Sequence, residues 1–297
     1  MNLQRLADKK LIHPPPFVIG GLQYLVQMGS VAYGMAGESS DLDIYGWCIP
    51  PKTNIFPHLA GEIQGFGKHK QSFENWQEHH IQDSETDKEY DFSVYSIVRY
   101  FHLTMENNPN MLDSLFVPRG CVLTSTDIAE MVRGERKIFL HKGCFHKFKG
   151  YAYAQLSAIK NKKPEPGSKR YDMVQKFGFD LKHSSHLVRL LLECEQVLVE
   201  GDLDLEKPGR KEMLRAIRDG QWTLKQVEDF FNDKERVLEK LYNESKIPYG
   251  PDEGKIRDLL LRCLEHYYGS MEECVRDIGR DERALKEISQ IVKNAGY

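Results

Sequence analysis

No two of the six cysteines (Cys48, Cys121, Cys144, Cys194, Cys263, Cys274) stand at C-x-x-C spacing. That excludes a zinc ribbon and a secreted disulfide framework and leaves reduced thiols as the expectation. Nor does any apolar run approach the ~18 residues that a membrane-spanning helix needs. The opening residues, Met1-Asn2-Leu3-Gln4-Arg5, lack the apolar stretch of a secretory signal, so a cytoplasmic protein with no membrane partner is expected. Internal repeats are absent, and one stretch, KNKKPEPGSKR at 160–170, is of low complexity and reads as a solvated connection. An excess of one charge is missing too: 41 basic against 44 acidic residues give a net charge of -3, which by itself argues neither for nor against a nucleic-acid partner.

What is present is an ordinary globular composition, 40% apolar and 29% charged over 297 residues, enough for about two domains at roughly 150 residues each. The first 135 residues read as mixed α/β. A short helix at 3–10 is stopped by Pro14-Pro15-Pro16, a strand at 23–28 runs into Gly29-Ser30, and a second strand at 42–49 is closed by Pro50-Pro51. A third strand is predicted at 88–93 and an amphipathic helix at 94–107, with 52–87 as loop carrying one or two short strands. From about Ser125 onward the periodicity is helical. Residues 172–200 form one or two helices with a break at Gly178, Thr223-Leu224-Lys225-Gln226 is a capping box, and 252–268 repeats the helical pattern. The expected fold class is therefore α+β, a mixed sheet with helices in 1–135 followed by an all-helical domain in 136–297.

Charge is distributed unevenly. Residues 137–189 hold 12 basic and three acidic residues, an excess of +9 that leaves -12 for the rest of the chain, the layout of a protein that handles a polyanion on one face. The most informative segment is 28–46. A strand delivers a Gly29-Ser30 turn whose backbone N–H groups can meet a phosphate, and Asp41-Leu42-Asp43 then sits on the next strand, where the period of two points both carboxylates to one face. Two such carboxylates repel unless a cation lies between them, and hard oxygen donors suit Mg²⁺, which takes its remaining ligands from water and substrate phosphates. In the second half Lys182, His186 and Arg189 stand at i, i+4 and i+7, one helix face that could reach a triphosphate.

The Gly-Ser turn followed by D-x-D resembles the signature of the DNA polymerase β nucleotidyltransferase superfamily. A closer resemblance is to its RNA repair pathway branch, carried by Gly29-Ser30-x-Ala32-Tyr33-Gly34, Ser40-Asp41-Leu42-Asp43-Ile44-Tyr45-Gly46, the Asn108-Pro109-Asn110-Met111-Leu112-Asp113-x-Leu115-Phe116 block and Gly150-Tyr151-Ala152. The Lys182, His186, Arg189 spacing also looks like a pattern of that family. The resemblance implies a polymerase-β-type catalytic domain with a helical domain closing the nucleotide cleft. It also implies a two-metal Mg²⁺ site, for which Mn²⁺ can substitute, held by Asp41, Asp43 and a third carboxylate. Asp91 is the expected third, with Glu89 as runner-up on the same strand face. Gly29, Ser30, Lys182, His186 and Arg189 would bind the nucleotide. The implied reaction moves an NMP from an NTP, ATP among the options, to a hydroxyl, with an RNA 3′ end as the expected acceptor. The alternatives are transfer to a small molecule or protein side chain, or non-catalytic nucleotide binding. Where that family often has Glu, this chain has Asp113, for which a structural role is expected. Tyr33 and Tyr45 read as packing beside the site, and His79-His80 and Cys144-x-His146 lack the further ligands of a zinc site.

Overall fold

The computed structural model describes residues 3–35, 42–68, 72–270, 272 and 280–294. The chain opens with α1 (Leu3–Asp8) and a single proline-led turn, α2 (Pro16–Gly20), before β1 (Leu22–Gln27) and β2 (Leu42–Cys48). After α3 (Lys52–Ile55) come the hairpin β3 (Asn75–Asp83) and β4 (Lys88–Ser96), then α4 (Ile97–Met105), α5 (Pro109–Phe116), β5 (Val122–Ser125) and α6 (Asp127–Gly134). The five strands form one sheet in the order β3-β4-β2-β1-β5, with β2 and β4 parallel and every other pair antiparallel.

Alternation in the strands gives the sheet two buried faces. On one, Leu25, Ile44, Cys48, Trp76, Phe92 and Val94 pack under Leu3, Leu6, Ile12 and Val18 of the N-terminal segment. On the other, Tyr24, Val26 and Trp47 join Tyr100, Leu112, Phe139, Phe148, Leu187 and Leu190, so one core runs from the sheet into the helical half. That half consists of α7 (Cys144–Asn161), α8 (Lys169–Phe177), α9 (Leu181–Glu200), α10 (Arg210–Arg218), α11 (Leu224–Glu244), α12 (Glu253–Tyr268) and α13 (Arg280–Asn294). Gly178 takes the left-handed conformation that ends α8, and Thr223 and Gln226 form the reciprocal capping box that starts α11. The fold is α+β, a mixed sheet with a helical part.

Two boundaries differ from the sequence reading. The polar segment 75–83 is a full strand with a bulge between Glu78 and Ile81, an edge strand held by its backbone ladder rather than by apolar alternation. Residues 94–96, expected in the helix, extend β4 because Gly46, Trp47 and Cys48 offer parallel partners. The helix starts only at Ile97, where the Ser96 hydroxyl caps Arg99 N–H. The five cysteines among the described residues are buried free thiols, and no described helix is long and apolar enough to cross a membrane.

Candidate functional site

The parallel ladder between β2 and β4 pairs Asp43 directly with Asp91. Neighbouring strands lie about 4.8 Å apart, so the two carboxylates stand side by side on the face that looks toward the helical half. The same register aligns Tyr45 with Ser93 and Trp47 with Tyr95, and the Tyr45 and Tyr95 rings meet at a centroid distance of 6.5 Å. Burial, helped by Tyr95, Asp43 and Asp91, pushes the Tyr45 phenol well above its ordinary range, so it keeps its proton beside the carboxylates. Asp91 Oδ1 accepts from His80 N–H at 2.7 Å, a bond made by the β3 bulge, in which His80 adopts φ 58°. His79 Nδ1 lies 3.6 Å from the same oxygen. Glu89, the runner-up, is occupied by His80 Nδ1 and Gln82 Nε2, each at 2.7 Å.

Asp41 lies outside the described residues. Among the described residues no group of three or more His, Cys, Asp and Glu converges as a metal site. Asp43 and Asp91 nevertheless form an adjacent pair of hard oxygen donors in the ladder, the donor chemistry that suits a divalent cation.

The Gly29-Ser30 turn abuts this pair. Gly29 adopts φ 65°, and a Cβ on it would fall into the Asp43 carboxylate, so only glycine lets the backbone come so close. Met28 N–H donates to Asp43 O at 2.7 Å, and Met35 N–H donates to Ser30 O at 2.8 Å, closing residues 30–35 into one compact turn. Tyr33, within that turn, is buried and donates its hydroxyl to Asp113 Oδ2 at 2.7 Å.

Lys182, His186 and Arg189 share a face of α9 but not an environment: Lys182 is exposed, His186 half-buried and Arg189 buried. Arg189 lies under the Tyr33 ring, 4.1 Å from its centroid. It donates to the Tyr33 hydroxyl, to Asp113 and to both oxygens of Glu193, at 3.2 and 3.3 Å for the latter. Burial alone would lower the pKa of Arg189, but the charges of Glu193, Tyr33 and Asp113 outweigh it and raise that pKa, whereas burial pushes that of Glu193 up against the opposing pull of Arg189 and Arg210. Arg189 therefore supports the 29–35 turn from below, rather than lying on an open surface with Lys182. Burial, with the positive charge of Arg189, pulls His186 down to about 3, and its Nε2 has no hydrogen-bond partner among the described residues.

Several contacts at the site could not be read from the sequence, although Asn108 and Tyr151 both lie in segments that carry the family resemblance. Asn108 caps α5 through Oδ1 while its Nδ2 donates to Tyr151 OH at 2.9 Å, tying the first half of the chain to α7. Tyr95 emerged only with the longer β4. Lys211 of α10 is the nearest side chain to Gly34, its Nζ 3.1 Å from where a Cβ would stand. Apart from the Asn108 cap, none of these placements has a local signal, since each is set by an element distant in the chain.

The basic segment 137–189 is also less open than its count implies. Lys137 pairs with Asp202, Lys147 with Glu106, Lys149 with Glu235, Lys160 with Glu228 and Arg170 with Asp180. Of its aromatic residues, Phe145, Phe148 and Phe179 are core, whereas Tyr153 is 65% exposed.

No curated protein matches this chain. A solved structure, that of a nucleotidyltransferase-like protein from Exiguobacterium sibiricum, aligns with 99% of this chain and 91% of its own at 9% identity and a TM-score of 0.30, too slight a likeness to carry an argument about the site. The family model of the RNA repair pathway DNA polymerase beta family matches residues 2–284, a span that takes in the Gly-Ser turn, both paired strands and α9. By that match over nearly the whole chain, the protein belongs to the RNA repair pathway DNA polymerase beta family.

Proposed function

We propose that this protein is a Mg²⁺-dependent nucleotidyltransferase that moves an NMP from an NTP to a hydroxyl, with an RNA 3′ end as the acceptor. The observation that carries this reading is the register pairing of Asp43 with Asp91 beside the Gly29 turn. The acceptor oxygen attacks the α-phosphorus, the bond to the β-phosphate oxygen breaks, and pyrophosphate leaves. Asp43, Asp91 and Asp41 would hold divalent cations, which would supply stabilisation of the negative charge that develops during the transfer. The 29–35 turn presents backbone N–H groups to the triphosphate. Asp91, oriented through His80 N–H, accepts the hydroxyl proton. Tyr45 remains a neutral donor at the edge of the pair. Lys182 supplies a cation from the helical side, and Arg189 keeps the turn in place.

A second reading, transfer to a small molecule or protein side chain, is favoured by one observation: much of the basic segment is engaged in ion pairs and offers fewer free charges to an RNA backbone.

The test is incubation with each α-labelled NTP, Mg²⁺ and RNA, followed by location of the label. Label on RNA 3′ ends, lost on chelation and reduced about a hundredfold or more in Asp43→Asn and Asp91→Asn at unchanged melting temperature, is the expected result. Full transfer by either variant overturns the site, and label on protein or a small molecule selects the second reading.

A further inference from the structure

Helix α10 runs antiparallel to α9. Near its start Arg210 donates to Gln196 Oε1 at 2.8 Å, and near its end the charge of Arg218 is felt by His186 and Asp180. On α10, Lys211, Arg215 and Arg218 recur at i, i+4 and i+7 and so share a face. Lys211 opens this row beside Gly34, its amine 3.1 Å from where a Cβ on that glycine would stand, and Arg189 of α9 lies under the same turn at Tyr33. Among the described residues, none of the three α10 cations is within ion-pair distance of a carboxylate, whereas Lys207 and Arg210 just before them pair with Glu200 and Glu193. Glu206 reaches the Gly34 point with Oε1 at 3.5 Å yet does not pair with Lys211. Arg218 is half-buried, and burial lowers its pKa against the opposing charge of Asp180.

We propose that Lys211 contacts the nucleotide's triphosphate in the 29–35 turn, with Arg215 and Arg218 as further cations on the same helix face. An unpaired lysine at the edge of a compact glycine-containing turn, with further unpaired cations on the same helix face, suits a polyphosphate, whose charged oxygens accept from both ammonium and backbone N–H donors. The inference rests on the nucleotidyltransferase reading for the identity of the ligand, but its chemistry is that of a polyphosphate.

Titration calorimetry with inorganic tripolyphosphate and with NTP, on the full chain without added metal and again with Mg²⁺, tests it. Lys211→Met should weaken both ligands about tenfold, and Lys211→Arg should restore most of the affinity. NMP, which lacks the β- and γ-phosphates, should respond less than twofold. Unchanged affinity for tripolyphosphate and NTP in Lys211→Met, or a wild-type protein that binds neither, overturns the assignment. So does a loss confined to single-stranded RNA, which would make α10 an acceptor track. Tripolyphosphate binding that depends on Lys211 in a protein that transfers no nucleotide would sink the proposed function and leave the polyphosphate site standing.

Discussion

Gly29 shows how one residue couples backbone to chemistry. Its positive φ and its contact with the Asp43 carboxylate exclude any side chain. Gly29→Ala is expected to cost about 1–3 kcal/mol in stability from the strained backbone and to displace Asp43 from its partner. Thermal melting should show a folded protein of lowered midpoint, and nucleotide transfer should fall far more than the midpoint does. A wild-type rate in a folded Gly29→Ala would mean that the turn and the carboxylate do not act together. Asp113 makes a contrasting case. It is fully buried, accepts from Tyr33 and Arg189, and leaves Oδ1 without a hydrogen-bond partner among the described residues, so it serves the packing of the turn rather than an open site.

At the scale of the element, α9 passes from solvent to core along a single face, and His186 sits at the transition. Because burial lowers its folded-state pKa to about 3, below the ordinary 6.5, the unfolded chain binds the extra proton first as the pH falls. The stability contributed by neutral His186 is thus fully present above about pH 6.5 and is lost progressively as the pH drops toward 3. In urea titrations His186→Gln should flatten the fall in unfolding free energy between pH 6.5 and 4 relative to wild type. An identical slope in both proteins would show that His186 does not stay neutral in the fold. The edge strand β3 also acts as an element: its bulge aims His80 N–H at Asp91, so a strand with almost no apolar signal orients a carboxylate of the site.

At the scale of the molecule, the sheet and the helical half are joined by buried polar contacts as well as by a continuous core. Arg189 reaches Tyr33 and Asp113 from α9, and Asn108 bonds Tyr151 of α7; within the helical half Arg210 stands 3.9 Å from Glu193. Removing the arginine would leave Asp113 and Glu193 buried without their principal cation, so Arg189→Met is expected to destabilise the chain by about 3–5 kcal/mol. The double variant Arg189→Met/Glu193→Met, which removes charge of both signs, should recover part of that loss in denaturant unfolding. If the single variant unfolds at the wild-type midpoint, the network is not a structural joint.

Local information was enough for the parts that depend on neighbouring residues. The glycine turn, the strand carrying Asp43, the Asn108-capped start of α5 at Pro109, the Gly178 break and the capping box at Thr223 all rest on backbone preferences within a few residues. The candidate partnership of Asp43 with Asp91 could be named from spacing and resemblance, but only the parallel ladder sets them opposite each other. β3, Lys211 and the burial of Arg189 could not be read locally. An edge strand draws its stability from a partner's backbone, and a side chain's environment is set by whatever the fold packs against it. The +9 segment carries the same lesson: the local count was correct, yet acids as far away as Glu228 and Glu235 neutralise part of it, because ion pairing depends on distance in space and not along the chain.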